Sequence, residues 1–464
     1  MTTRAWTRRA LALALFMACG PALAAEFQAG VARVKITPPQ PFWMSGYAAR
    51  THPSEGVYQE LWAKALALRD SEGHQAVLVT TDLIGLPRAI SDEVAERVRG
   101  RFKVERQSLV LNSSHTHCGP AVRKNLAVLY DFNEEDRRRV DAYGAELVDR
   151  LVEVVGRALE DLAPAQLAAG HGSVGFAVNR REFTPEGVKI GVNPKGPVDH
   201  DVPVLKVAGK DGSLRAVLFG YACHNTTLGG DFYQIGGDYA GFAQAELERA
   251  HPGTTALFLM LCGGDQNPNP RGTLEHAQRY GQALAAEVGR VLGTALLPVR
   301  PPVRTAVEVI PLEFAPHDRA TFEQEATSPD KYRPRRARLM LAAYDAGQPV
   351  RQTPYPVQAV RLGADLTVLA LAGEVVVDYA LRAKRELAGE NLIVAGYCHD
   401  VMSYIPSRRV RQEGGYEAVD SMIYYGQPGP FADSVEETIF AEVGRVAERV
   451  GVVAAPVPPV ASRP

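Results

Sequence analysis

The chain is punctuated by short apolar runs at 76–80, 108–112, 216–221, 256–260 and 366–371, each too short for a helix and closed by polar or glycine-bearing residues. Runs of this length bounded in this way read as buried strands. Longer stretches at 134–162, 239–250, 276–292, 322–344 and 434–450 carry apolar residues at helical spacing, several behind an Asp, Thr or Asn placed to cap the first turn. Strands and helices mixed along one chain predict the α/β class, with mixed β-sheets flanked by helices. No internal repeat divides the sequence.

A composition of 46% hydrophobic and 22% charged residues over 464 positions supports a large core, and a formal net charge of −2 gives no electrostatic reason for nucleic acid as a partner. Basic clusters such as Arg333-Pro334-Arg335-Arg336 and Arg408-Arg409 are short. Residues 1–24 read as a signal peptide, with Arg4, Arg8 and Arg9 ahead of an apolar run and Ala22-Leu23-Ala24 as the cleavage site, so a periplasmic or secreted protein is expected. No later run approaches the ~18 uninterrupted apolar residues that suggest a transmembrane helix. The remainder reads as one domain at 25–452 and a Pro-rich, disordered tail at 453–464, with Pro298-Val299-Arg300-Pro301-Pro302 marking an exposed connection. Four cysteines follow the signal: Cys118, Cys223, Cys262 and Cys398. An oxidising compartment permits disulfides among them, and spacing alone does not pair them.

Chemistry-bearing residues gather where the strand-like runs end. His115 and His117 lie two apart, so on extended backbone both imidazoles project to one face, as a shared metal ion or substrate atom requires. His224 follows the run 216–221 within Cys223-His224-Asn225-Thr226, and Asp238 stands ready to cap the next helix toward the same region. After 256–260 comes Cys262-Gly263-Gly264-Asp265-Gln266-Asn267-Pro268-Asn269, a tight loop whose amides can converge on a ligand carbonyl. Glu374 closes an apolar run that otherwise carries no charge, and a buried carboxylate is costly unless it is paired or bound to a metal. Two further segments, Tyr397-Cys398-His399-Asp400-Val401-Met402-Ser403-Tyr404 and Gly414-Gly415-Tyr416-Glu417, carry tyrosines that taken singly read as core.

Together these segments resemble the neutral, non-lysosomal ceramidase family, a group of secreted zinc amidases. The resemblance runs in order through Ala29-Gly30-Val31-Ala32-Arg33-Val34-Lys35-Ile36-Thr37-Pro38-Pro39, Met44-Ser45-Gly46-Tyr47, Thr80-Thr81-Asp82-Leu83, His115-Thr116-His117-Cys118-Gly119-Pro120 and Cys223-His224-Asn225-Thr226. It continues through Gly264-Asp265 with Pro268-Asn269, Gly373-Glu374 and the paired tyrosines. It implies the catalytic domain of that family, with Zn²⁺ held by His115, His224, Glu374 and Tyr404. It further implies substrate-handling roles for His117, for Arg180 with Arg181 beside it, and for Tyr416, which follows Tyr404 at the family's separation. Two imidazoles, a carboxylate and a phenolic oxygen are a donor set suited to zinc.

Two departures stand against ceramide as the substrate. In the family the loop reads Gly-Asp-x-Ser-Pro-Asn, with a serine implicated in catalysis; here Asn267 takes its place, and an amide cannot act as that nucleophile. The sequence also stops at Pro464, short of the family's C-terminal immunoglobulin-like domain. The expectation is therefore an exported zinc-dependent hydrolase of an amide, or an ester, by metal-activated water. Its partner is a small-molecule or lipid-like amide, positioned by Asn267. The alternatives are a catalytically degenerate metal- or ligand-binding relative and a metal-assisted lyase acting on a polar saccharide. Oligomeric state stays open.

Overall fold

The computed structural model describes residues 27–387, 389 and 391–452. The expected signal peptide and Pro-rich tail lie outside the described residues. The main sheet has nine strands, in the order Thr255–Met260, Leu214–Tyr221, Asp201–Gly209, Ala163–Ser173, Phe27–Lys35, Trp62–Arg69, Gln75–Thr81 and Leu109–Ser113, with Leu297–Val299 added beside Ala163–Ser173. A second sheet orders Val303–Glu313, Gln352–Leu362, Leu366–Leu371 and Leu392–Ala395. The five expected strands are all present, and the class is α/β with mixed sheets.

Within these two sheets three strand pairs are parallel: Gln75–Thr81 with Leu109–Ser113, Leu214–Tyr221 with Thr255–Met260, and Leu366–Leu371 with Leu392–Ala395. A parallel pair cannot be closed by a tight hairpin, so each needs a crossover. The helices Arg88–Phe102, Asp238–Ala250 and Val377–Glu386 supply one apiece. Within each pair both strands finish at the same edge, and the segments that leave those edges carry the polar clusters seen in the sequence. Binding sites of open α/β sheets form in that position, beyond the carboxyl ends of the strands.

The main sheet curls until its two edge strands meet at Asn112. Its side-chain amide donates to Met260 O at 3.1 Å and to Gly396 O at 2.8 Å, and its Oδ1 accepts from Met260 N at 2.9 Å. One side chain thus joins an end of each parallel pair. Behind the curl, the 27-residue helix Glu134–Glu160 lays Leu147, Leu151 and Val155 against Ala65, Val77 and Val79, all fully or almost fully buried. Its N-cap Asn133 accepts from Asp136 N at 2.8 Å, which satisfies one of the helix's orphan donors.

Two expectations change. The single helix expected at 322–344 is two helices, Arg319–Ala326 and Arg333–Asp345. Pro329 lacks an amide hydrogen and pushes Ser328 away from helical backbone, while the Asp330 carboxylate takes the amides of Tyr332 and Arg333, both at 2.7 Å, to start the second helix. The connection expected to be exposed at 298–302 is partly in the sheet: Val299 is buried and pairs with Leu167, because its apolar side chain reaches the core. The four cysteines are buried and free. Among the described residues no helix is long and apolar enough to cross a membrane.

Candidate active site

His115 sits just past the strand Leu109–Ser113 in left-handed backbone, φ 62°, a conformation that costs a side-chain-bearing residue free energy. Its N–H donates to Leu83 O at 2.9 Å, and its Nδ1 lies 2.5 Å from Ile84 O. His224, past the strand Leu214–Tyr221, has Nδ1 2.7 Å from Gly263 O. A carbonyl only accepts, so each Nδ1 carries the proton and each Nε2 presents a lone pair to the site. Glu374 Oε2 lies 3.0 Å from both Nε2 atoms. Tyr404 OH is 3.2 Å from His224 Nε2, and His117 Nε2 is 3.1 Å from His115 Nε2. The four residues expected as ligands therefore converge, together with His117, at one point.

Burial, reinforced by Arg180, pushes the His224 imidazole down to about 4. Burial and the two neighbouring imidazoles hold His117 well below the usual histidine range. For Glu374, burial works to raise the carboxyl, but His115 and His224 outweigh it and hold it well below the usual carboxylate range. The site thus gathers three buried imidazoles around one buried carboxylate at contact distance. Donors converging in this way could hold a metal ion. Ligand distances of about 2.0–2.2 Å in a tetrahedron set donors roughly 3.3–3.6 Å apart, slightly wider than the spacings found here. The ligand atoms of His115, His117 and His224 lie within 4.8 Å of one another, so His117 is close enough to join the set.

Arg180 is spoken for on three sides. It donates from Nε to Glu417 Oε1 at 2.7 Å, from Nη2 to Tyr404 OH at 2.9 Å and from Nη1 to Asn267 Oδ1 at 3.3 Å. Arg181 turns away, as alternate residues of a strand do, to Glu417 Oε2 at 2.6 Å and Gly414 O at 2.8 Å. The site therefore takes Arg180 and not its neighbour. Thr226 Oγ1 also donates to Asn267 Oδ1, at 3.2 Å, so the Asn267 carbonyl is occupied and its NH₂ is left for the cavity. Tyr416 lines the same cavity, its ring 5.4 Å from that of Tyr404, and burial raises its phenol so that it stays a proton donor.

Several supporting residues escape sequence reasoning. Tyr425 OH donates to Glu374 Oε1. The Asp265 carboxylate accepts from Val377 N at 2.8 Å and Asn179 Nδ2 at 3.0 Å, tying the loop of Asn267 to the helix that follows Glu374. Asn225 donates to Ser114 O at 2.5 Å and accepts from Ala240 N at 3.1 Å, which joins the two histidine segments to the start of the helix Asp238–Ala250. Asp238, expected to cap that helix, is instead its first residue, the cap position falling on Gly237 without a side-chain hydrogen bond; the Asp238 carboxylate accepts from Tyr239 N at 2.6 Å and Leu228 N at 3.0 Å, because its left-handed backbone turns it toward the loop after His224. At the cluster lies a cavity of about 200 Å³, lined by the apolar Ile84, Leu126 and Leu129 and by the polar Arg180, Thr226, Asn267 and Arg271.

Residues 27–282, over half of the chain, match the model of the neutral/alkaline non-lysosomal ceramidase N-terminal domain. The chain belongs to this family. That match ends before Glu374 and Tyr404, so the ceramidase-family signature covers the histidine half of the cluster alone. Neutral ceramidase from Mycobacterium tuberculosis is 28% identical over 250 residues, covering 50% of this chain and 38% of that one, and neutral ceramidase from Pseudomonas aeruginosa is 25% identical over 290 residues, covering 58% and 41%. The chain spans about two-fifths of the length of these relatives. The fold likeness reaches further: the crystal structure of the Pseudomonas aeruginosa neutral ceramidase overlays 94% of this chain and 76% of its own, with a TM-score of 0.71 at 18% identity. A second structure, a ceramidase complexed with C2, overlays 95% and 78% with a TM-score of 0.73, also at 18% identity.

Proposed function

We propose that this ceramidase-family protein is an exported, zinc-dependent hydrolase of amide bonds that acts on a substrate other than long-chain ceramide. The observation that carries the reading is the cage of lone pairs: His115 Nε2, His224 Nε2, Glu374 Oε2 and Tyr404 OH within 3.0–3.2 Å of a neighbour, with both Nδ1 protons fixed on carbonyls. A bound zinc ion would polarise the scissile carbonyl and bring the pKa of water down toward ~7. The protein's own residues do the rest. Arg180 holds the Tyr404 hydroxyl and the Asn267 carbonyl in place, leaving the Asn267 NH₂ to donate to the substrate's carbonyl oxygen. His117 and the protonated Tyr416 line the space a leaving amine must cross and are the groups able to pass it a proton. Zinc content of the purified protein tests the assignment: about one ion per chain in the wild type, and most of it lost in His115→Ala and His224→Ala. Full occupancy in both variants overturns it.

Asn267 in place of the family's serine favours a second reading, a silent relative that binds metal and ligand without turnover. Release of an amine or carboxylate from any acylated substrate by the zinc-loaded protein excludes that reading.

A further inference from the structure

We propose that the substrate carries an anionic group, a carboxylate in the first instance, and that Arg271 is the residue that reads it. This specificity rests on the amide-hydrolase reading of the same site and deepens it.

The cavity over the cluster is continuous in its lining with a second cleft of about 170 Å³ under the hairpin of Ala177–Thr184 and Gly187–Asn193, and the two share Ile190, Asn267 and Arg271. Arg271 therefore stands at the junction. Its backbone is pinned on both sides: Asn269 N donates to Phe176 O at 3.0 Å, Tyr280 OH to Pro270 O at 2.5 Å, and Gly272 N to Thr227 O at 2.7 Å. Its guanidinium, by contrast, has no hydrogen-bond or ion-pair partner among the described residues. Arg180 differs, being committed to Glu417, Tyr404 and Asn267.

Charge points the same way. Glu374 is the sole carboxylate lining either space, against two arginines, and Glu417 behind the wall offsets the charge of Arg180. A divalent ion on the cluster adds further positive charge. A neutral amide gains nothing from that field, whereas a carboxylate gains both the long-range attraction and a forked, charge-assisted contact with an exposed guanidinium whose donors are uncommitted and whose backbone is anchored. An N-acylated amino acid has the required form, its acyl side against Ile84, Leu126 and Leu129 and its carboxylate at Arg271.

The test pairs substrates and inert ketones that differ only in charge. Hippurate and N-propylbenzamide share one benzamide bond, and 3-benzoylpropionate and valerophenone are their ketone counterparts that no amidase cleaves. In low salt the zinc-loaded wild type should bind 3-benzoylpropionate on the order of tenfold or more tighter than valerophenone by calorimetry, and kcat/KM should favour hippurate over N-propylbenzamide to a similar degree. Both preferences should collapse to about unity in Arg271→Gln, survive in part in Arg271→Lys, reverse in Arg271→Glu, and shrink as salt is raised. Equal binding of the two ketones, no binding of either, or a preference left intact in Arg271→Gln overturns the inference; the last result would mean that the carboxylate sits on the metal. Release of benzoate from neither substrate counts against the hydrolase reading alone, because the ketone ratio still measures Arg271.

Discussion

Tyr425→Phe removes one hydroxyl and leaves the ring, so its consequence can be worked out closely. The hydroxyl donates to Glu374 Oε1, the carboxylate oxygen that does not face the histidines. Glu374 is almost completely buried. With the donor gone, Oε1 has lost a charge-assisted hydrogen bond and no water replaces it at no cost. Such a bond contributes about 1.5–3 kcal/mol, and part of that energy now holds the carboxylate in the rotamer that presents Oε2 to His115 and His224. Converted, this is roughly a 10- to 100-fold loss in zinc affinity, the range expected when a partner behind a metal ligand is removed. The assay is competition with a chelator of known affinity, comparing wild type, Tyr425→Phe and His224→Ala. Zinc affinity within twofold of wild type in Tyr425→Phe would refute the reasoning, and a loss as large as that of His224→Ala would mean that Tyr425 is itself a ligand.

Asn267→Ala should lower kcat/KM on the order of 10²-fold without abolishing turnover, while Asn267→Ser should not create efficient hydrolysis of long-chain ceramide; stopped assays over both variants check this, and no acyl-enzyme burst is expected in the wild type. The Asp400 carboxyl, which accepts from Arg88 N at 3.0 Å, is raised by burial to about 7. A carboxyl raised on folding keeps its proton in the native state where the unfolded chain has lost it, so its contribution to stability is fullest below about pH 4 and falls as the pH climbs to about 7. Asp400→Asn cannot ionise and should therefore gain on the wild type between pH 5 and pH 8 by up to ~3 kcal/mol, read from thermal unfolding at the two pH values. A difference that does not change with pH refutes the burial argument.

What the sequence discloses about this site follows from where each residue's signal resides. His115 and His117 are legible as a two-residue pattern at a strand end, but not by the expected geometry: the strand closes at Ser113 and His115 takes left-handed backbone, so the imidazoles meet through a turn and not by alternation along extended chain. Glu374 is legible because a charge at the close of an apolar run is expensive to bury without a partner. Tyr425 has no such signal: nothing local separates it from Tyr424, and what distinguishes them is that one hydroxyl reaches a carboxylate 51 residues away. Asn225 and Asp265 are hidden for the same reason, since their work is to tie loops together across the fold. Arg180 and Arg181 are resolved only once strand pairing fixes which of two adjacent side chains faces inward. The helix expected at 322–344 failed locally, because apolar spacing continued across Pro329 while the backbone could not.

Asn112 bears on how such a site comes into being. Its partners Met260 and Gly396 lie 148 and 284 residues further along the chain. Contacts of that separation close late, after most of the loop entropy has been given up. A motif confined to one helix can capture a metal ion while the rest of the chain is still disordered; here the ligands are strangers until three distant segments have docked. The amide of Met260 should then exchange with solvent only through global unfolding, and a nascent or cleaved chain should have no partial affinity for zinc with which to be loaded wrongly.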